Sequence, residues 1–322
     1  MADTGIREKV VGVGKEGTRL TLTAATRWLA PESGSEFQMT RALLEDNATR
    51  DIKEKFPSVL GRKFASGSIV NLPVEQNNDF ALLVDSVMGK NAGAGSVQTD
   101  AYVHVFTPAT VLIPDTLSFV VDRGGVIADK GYNGCLVKKL SLSQEADERL
   151  MCNAEIIGLN EAAGTIGSAT FADPNPFKFS DVSSIAIGGA SNGANVTAWS
   201  MEIDNQAKLK NVLDGNETSS DIICVDGIVV TGTFQIYFVD STERDKFVAG
   251  STSDIVITYI GDKISTDSYR LIIDAHKLQY NAYPWGDMNG MFGASVSFNG
   301  YYSTGDTQTL TITIWNTQSA AY

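Results

Sequence analysis

Residues 228–238, IVVTGTFQIYF, alternate polar side chains with the apolar Val230, Phe234 and Ile236. The polar positions are Thr231, Thr233 and Gln235. Strict alternation is typical of a strand that turns one face to a packed core and the other to water. The segment therefore predicts a half-buried strand with a small polar face.

The same alternation recurs along the chain in KLSLSQ (139–144), ASVSF (294–298) and TLTITIW (309–315). Helical patterns are few and short. Residues 77–89 and 240–250 each begin near Asp or Ser and end in Gly, as helices often do, and 38–56 is a third candidate helix. The sequence therefore predicts a mainly β protein.

An internal repeat organises these elements. GSIVNL (67–72) and GTFQIY (232–237) each precede a short helix and then four strands. The repeat matches AYVHVF (101–106) with DIVITYI (254–260), and LSFVVD (117–122) with YRLIID (269–274). A repeated order of elements indicates two copies of one module. The predicted organisation is an N-terminal arm (1–30), a first module (31–165), a linker (166–190) and a second module (191–322).

Charge limits the possible partners. The chain has 25 Lys and Arg against 38 Asp and Glu, a net charge of −13, with a sequence pI near 4.6. Tight nucleic-acid binding depends on neutralising phosphates with basic side chains. This composition therefore argues against a protein that grips DNA. No stretch reaches the roughly 20 apolar residues of a membrane span, so no membrane partner is expected.

Residues suited to catalysis are sparse. The two histidines, His104 and His276, lie in strand-like segments. The three cysteines, Cys135, Cys152 and Cys224, are too far apart in sequence to form a CxxC motif. GVGKEG (12–17) matches the dinucleotide-binding glycine pattern, but a β-branched segment follows it instead of a helix. We therefore expect no enzyme activity, no cofactor and no catalytic or metal residue.

Several segments resemble the tail tube proteins of long-tailed bacteriophages. They are VGVGKEGTRLTLTAATRWLAPES near the N-terminus, GSIVNLPVEQNNDFALLVDSVMG (67–89), the stretch 117–159 around YNGCLVKKLSLSQEADERLMCNAEIIGL, and GIVVTGTFQIYFVDSTERDKFVAG (227–250). The resemblance covers nearly the whole chain. It is one of pattern and includes no catalytic motif.

The resemblance implies two tandem tail-tube modules, each a β-sandwich-like unit with one short helix, whose inner sheets join into a barrel around a channel. Single-module proteins of this kind form sixfold rings, so a two-module chain implies rings of three subunits. The implied partners are further copies of the chain, tape-measure protein in the lumen during assembly, tail terminator and tail-tip proteins, and DNA in transit. The implied location is the virion tail, assembled in the host bacterial cytoplasm.

Small polar strand faces are the candidates for the channel lining. They are Ser141, Ser143, Glu155, Thr231, Thr233, Gln235, Ser295, Ser297, Thr311 and Thr313, the last four on condition that the final hairpin belongs to the inner sheet. An acidic or neutral lining repels DNA mildly and leaves it mobile. Alternation shows which residues share a face but not what that face meets.

Two further interpretations stay open from the sequence. One is another phage-tail or contractile-injection component, such as a sheath or baseplate-hub protein, and the other is a carbohydrate-active β-sandwich protein. The longest polar excursions, 40–64 and 205–222, lie at equivalent places in the repeat, and we expect them, with the N-terminal arm, to make contacts between rings.

Overall fold

The computed structural model describes residues 9–32, 35–46, 57–77, 79–89, 91–98, 100–110, 113–123, 129–164, 169–171, 173–288 and 290–322. The first half contains β1 (Lys9–Lys15), β2 (Arg27–Leu29), β3 (Glu36–Leu44), β4 (Val59–Pro73), α1 (Asp79–Met88), β5 (Asn91–Gln98), β6 (Ala101–Phe106), β7 (Leu117–Arg123), β8 (Lys130–Glu145), β9 (Met151–Gly158) and β10 (Asn160–Ala163).

The second half opens with a short 3-10 turn at Phe179–Asp181. Its remaining elements are β11 (Val182–Ile187), β12 (Ala190–Ser191), β13 (Val196–Asp204), β14 (Ala207–Lys210), β15 (Asp221–Cys224), β16 (Val229–Tyr237), α2 (Thr242–Ala249), β17 (Thr252–Ile264), β18 (Asp267–Ala282), β19 (Trp285–Met288), β20 (Met291–Gly300) and β21 (Leu310–Asn316). The prediction of a mainly β fold is confirmed.

One antiparallel sheet runs through both halves of the chain. Its strand order is β3, β4, β9, β8, β13, β16 and β20, followed by the C-terminal part of β18 and its continuation β19. The two halves meet where β8 pairs with β13. We call this the inner sheet.

Two smaller layers cover the apolar face of the inner sheet. The first has the order β2, β1, β7, the N-terminal part of β8, and β10. The second has the order β12, β11, β17, the N-terminal part of β18, β21, β6 and β5. We call these the outer layers. β8 and β18 each belong to the inner sheet at one end and to an outer layer at the other.

The core lies between the inner sheet and the outer layers. Phe37 of β3 packs 5.2 Å from Phe119 of β7, measured between ring centroids. In the second half, the Trp199 indole donates to the Tyr259 hydroxyl (3.1 Å), which donates to Oε1 of Gln144 (2.5 Å). These three buried polar groups are thus paired across the layers, and burial of aromatic area stabilises the sandwich.

The two halves share one order of strand pairing. In the inner sheet, β3–β4–β9–β8 corresponds to β13–β16–β20–β18. In the outer layers, β1–β7–β8–β10 corresponds to β11–β17–β18–β21. α1 and α2 follow β4 and β16 respectively. These pairings match β7 with β17, whereas the sequence comparison matched 101–106, which is β6, with 254–260. The shift of one strand arises because the hairpin β5–β6 has no counterpart among the described strands of the second half.

Three segments differ from their predicted conformations. The described part of the candidate helix 38–56 is the end of β3 and its continuation to residue 46, paired with β4, while residues 47–56 lie outside the described residues. Within the segment assigned to an N-terminal arm, Lys9–Lys15 form β1 between β2 and β7. Within the segment assigned to a linker, Val182–Ile187 form β11.

The glycines of GVGKEG serve packing in β1. A Cβ at Gly12 would lie 2.5 Å from the Cβ of Ala25, and one at Gly14 would lie 2.5 Å from the Ala24 carbonyl oxygen. The chain returning from the following turn therefore fits against β1 only because these positions lack side chains. The motif has a structural explanation that needs no nucleotide.

Candidate functional site

The candidate site is the polar face of the inner sheet. Cross-strand pairing aligns Ser143 of β8, Ser200 of β13, Thr233 of β16 and Ser297 of β20 in one row. Residues directly opposite in neighbouring strands project to the same face. This row therefore joins residues of both halves on one continuous surface.

Eight of the ten candidate positions lie on this face. They are Ser141, Ser143, Glu155, Thr231, Thr233, Gln235, Ser295 and Ser297. The pairing also adds residues that the sequence analysis did not select, namely Gln38, Ser66, Ser68, Lys139, Asn153, Ser200, Glu202 and Asn299. Most of these additions occupy polar positions of alternating strands, which is the signal that identifies them.

Thr311 and Thr313 lie elsewhere. Their strand, β21, pairs with β18 and β6 in an outer layer. Of the two strands of the final hairpin, β20 belongs to the inner sheet and β21 does not. Alternation in TLTITIW correctly separates the buried Leu310, Ile312 and Ile314 from the threonines, but carries no information about which sheet the strand joins.

Charged side chains at the centre of the face form ion pairs, and the carboxylates outnumber the lysines. The Lys139 ammonium lies 2.8 Å from Glu202 and 3.6 Å from Asp204, and the Lys138 ammonium lies 2.8 Å from Glu155. The hydrogen bond and charge of Glu202, outweighing slight desolvation, raise the pKa of Lys139. Three carboxylates against two lysines leave this region negative, and both lysines are already engaged.

A second surface forms where the two polar excursions meet. The loop between β14 and β15 packs against the hairpin β3–β4: the Lys63 amide donates to the Glu217 carbonyl (2.8 Å), and Arg41 lies 2.9 Å from the Glu217 carboxylate. The hydrogen bond and charge of Arg41 hold the pKa of Glu217 below its usual value. Both excursions connect the first two inner-sheet strands of their half and lie at one end of the sheet.

The β3–β4 hairpin exposes large apolar side chains at the end where β3 finishes and β4 begins. Leu43, Leu44, Val59 and Leu60 are each about 60% exposed. Leu43 pairs with Leu60 and Leu44 with Val59, so large exposed apolar side chains occupy both faces of the hairpin. Exposed apolar patches mark surfaces that contact other molecules. This hairpin end is therefore suited to a protein contact.

The histidines occupy structural positions. His104 is fully buried in contact with Tyr322 (4.8 Å between ring centroids), and its Nε2 lies 2.9 Å from the Gln318 carbonyl oxygen. His276 bonds to Thr311 (2.8 Å) and lies 3.3 Å from Asp274. Among the described residues, no group of three or more His, Cys, Asp or Glu side chains is arranged to hold a metal ion.

Burial gives His104 a predictable effect on stability. Desolvation, opposed only in part by hydrogen bonding, lowers its pKa below the ordinary value of 6.5. The unfolded chain therefore takes up a proton near pH 6.5 that the folded protein resists. Stability from this group is full above that pH and falls by at most about 1.4 kcal/mol for each pH unit below it.

We expect His104→Gln, whose amide can reach the Gln318 carbonyl without titrating, to lose this dependence. Urea unfolding at pH 7.5 and 5.5 measures it, with the original protein as the reference for all other titrating groups. Equal pH dependence in the two proteins would show that folding leaves the pKa of His104 unchanged.

The comparison with protein families decides the assignment. Residues 7–313 match the family model described as phage tail tube protein. The chain belongs to the phage tail tube protein family. The match spans nearly all of both halves, including the inner sheet, and this family is generally non-enzymatic.

Membership places the protein in the virion tail as a structural component that assembles with itself and contacts other tail components. No curated protein matches the sequence. No helix within the described residues is long and apolar enough to cross a membrane.

Proposed function

We propose that the polar face of the inner sheet lines the channel of the tail tube, and that rings of this subunit stack to form it. The observation that carries this proposal is the inner sheet itself, which crosses both halves and has an open edge at each side. Among the described strands, none pairs with the outer side of β3 or of β19. Open edges favour pairing with another sheet, and closure into a barrel removes them.

Rings of three subunits fit the size of this sheet. Each subunit contributes eight strand positions, counting β18 and β19 as one, so three subunits supply 24. With strands about 4.8 Å apart and tilted about 40°, such a barrel measures roughly 50 Å between opposite backbones. That width admits a DNA duplex after side chains are added.

The division into two modules is part of the proposal. We assign residues 31–165 and 191–322 to two copies of one fold, with 1–30 and 166–190 as an arm and a linker that contribute β1 and β11 to those copies. The shared pairing order of the halves supports this assignment. Two modules per chain make a ring of three subunits pseudo-sixfold.

The composition of the polar face suits a conduit. Serine, threonine, asparagine and glutamine keep the surface wet, and the lysines at its centre are engaged by carboxylates. Tight binding to DNA requires basic groups that are free to contact phosphates, so we expect this face to bind passing DNA weakly. DNA in transit and tape-measure protein during assembly are the proposed contents of the channel.

The β3–β4 hairpin and the β14–β15 excursion are the proposed contacts between stacked rings. Tail terminator and tail-tip proteins are the proposed partners at the two ends of the tube. Assembly is proposed to take place in the host bacterial cytoplasm, followed by incorporation into the virion tail.

Negative-stain electron microscopy of the purified protein tests this function. We expect rings and hollow tubes of uniform bore as the protein concentration is raised. A protein that stays monomeric at every concentration, both alone and with purified tail-tip complex as an initiator, would contradict the proposal.

A further inference from the structure

The internal junction between the two halves provides a template for the junction between subunits. At the internal junction, β8 of the first half pairs with β13, the first inner-sheet strand of the second half. The strand that corresponds to β8 in the second half is the run β18–β19. β17 pairs with this run as far as Gln279. Beyond that residue its outer edge, at the side of the sheet opposite β3, is open among the described strands. A neighbouring subunit's β3, which corresponds to β13, is the strand that would continue the sheet.

A β-bulge fixes the correspondence residue by residue. The pairing of β8 with β9 skips Lys138, so that Lys139 lies opposite Glu155. The pairing of β18 with β20 skips Asn281, so that Ala282 lies opposite Ser297. A bulge is a specific local feature of a strand pair. Its presence at both places aligns Lys139 with Ala282.

Pairs beyond the bulge agree with this alignment. Four residues after Lys139, Ser143 lies opposite Met151; four residues after Ala282, Gly286 lies opposite Gly293. Ser143 therefore corresponds to Gly286.

The first inner-sheet strands align by the same reasoning. Glu36 lies opposite Ser68, which lies opposite Glu155. Ser200 lies opposite Thr233, which lies opposite Ser297. Since Glu155 and Ser297 correspond, so do Glu36 and Ser200. At the internal junction Ser200 lies opposite Ser143.

We infer that β3 of one subunit pairs antiparallel with β18–β19 of its neighbour in one register, in which Glu36 lies opposite Gly286. The same register places Gln38 opposite Pro284 and Phe37 opposite Trp285. This inference rests on the proposed function and specifies the subunit contact that closes the ring.

Side chains and backbone at the open edge support this pairing. Leu142, which corresponds to Trp285, is fully buried at the internal junction, whereas Trp285 is 42% exposed in the isolated subunit. The Pro284 carbonyl accepts a hydrogen bond from the Ser295 amide of β20 (3.2 Å). The N–H and C=O of one residue in an antiparallel strand point to the same side, so the N–H that proline lacks would point to β20 and not to the open edge. In antiparallel strands bonding direction alternates, so Trp285 turns its peptide groups to the open edge.

The register is tested by a disulfide between subunits. The N–H and C=O of Gly286, like the C=O of Pro284 two residues earlier, point towards β20 and away from the open edge. Glu36 and Gly286 would therefore form a non-hydrogen-bonded pair, with Cα atoms about 4.5 Å apart. That separation lies within the range of disulfides. A Cβ at Gly286 meets no atom within 4 Å, and Glu36 is exposed, so cysteine fits at both positions. Within one chain these residues lie at opposite sides of the inner sheet, seven strand spacings or roughly 30 Å apart.

The experiment compares two double variants in a Cys224→Ser background. Burial raises the pKa of the Cys135 and Cys152 thiols, which keeps them unreactive. The test variant carries Glu36→Cys and Gly286→Cys, and the matched control carries Glu36→Cys and Asp287→Cys, which moves the second thiol to the opposite face of the sheet. Assembled protein is oxidised and separated on a denaturing gel without reductant.

We expect the test variant to give covalent dimers and trimers and no larger species, because three links close a ring, and the control to stay at least tenfold less linked. Assembled rings without links in the test variant, or equal linking in the control, would overturn the register. If neither the original protein nor the Cys224→Ser parent assembles, the proposed function fails and the pairing falls with it.

Discussion

Deleting residues 45–60 will leave a folded subunit that no longer forms long tubes. Arg41 pairs with Lys63 across the hairpin, so the deletion leaves residues 42–44 and 61–62 as a five-residue connection. Connections of this length are common in hairpins. The deletion removes the end of the excursion, including the exposed side chains of Val59 and Leu60. Electron microscopy should show single rings or short stacks, and thermal melting should stay cooperative.

Mixing provides the control for this deletion. The shortened subunit keeps the surface at the other end of the ring, so small amounts added to the original protein should end growing tubes early and shorten them. Tubes of normal length from the deletion variant alone would show that the β3–β4 hairpin is not needed for contacts between rings.

Replacing Thr231 and Thr233 with lysine will give tails that assemble but eject DNA slowly. Both threonines lie on the polar face, in cross-strand rows with Glu202 and Ser200 respectively. Two lysines in each of three subunits add six positive charges per ring against the passing phosphates. Because salt screens exposed charges over about 10 Å at 0.1 M, raising the salt concentration should relieve the delay. The release of dye-labelled DNA from purified phage at two salt concentrations measures it.

The matched control is Thr311→Lys with Thr313→Lys. These threonines have the same spacing and alternation but lie in an outer layer, paired with β18 and β6. We expect ejection at the original rate from this variant. Normal ejection at low salt from fully assembled Thr231→Lys, Thr233→Lys tails would show that the inner-sheet face does not line the channel.

The sequence predicted faces of strands better than partners of strands. Alternation identified the polar sides of β16, β20 and β21, since side-chain direction follows from the local period of two. It did not reveal that β21 belongs to an outer layer, because pairing depends on distant segments. The continuous inner sheet depends on one such contact, between β8 and β13, that no local pattern encodes.

The structure differs from the sequence prediction in a glycine-rich segment and in a charged segment. GVGKEG lies in the segment assigned to an N-terminal arm, yet Gly12 and Gly14 belong to β1, where the returning chain packs too closely for side chains. Residues 38–56 were predicted as a candidate helix, while pairing with β4 makes the first part of this segment the strand β3. In both cases a contact with a distant segment overrode the local preference.

A cryo-electron microscopy reconstruction of the assembled tube tests the central claim most directly. We expect three copies of the chain in each ring, one continuous barrel formed by the inner sheets, and the side chains of Thr231, Thr233 and Ser143 facing the channel. A tube in which this face points to the outside solvent, or in which the outer layers line the bore, would contradict it.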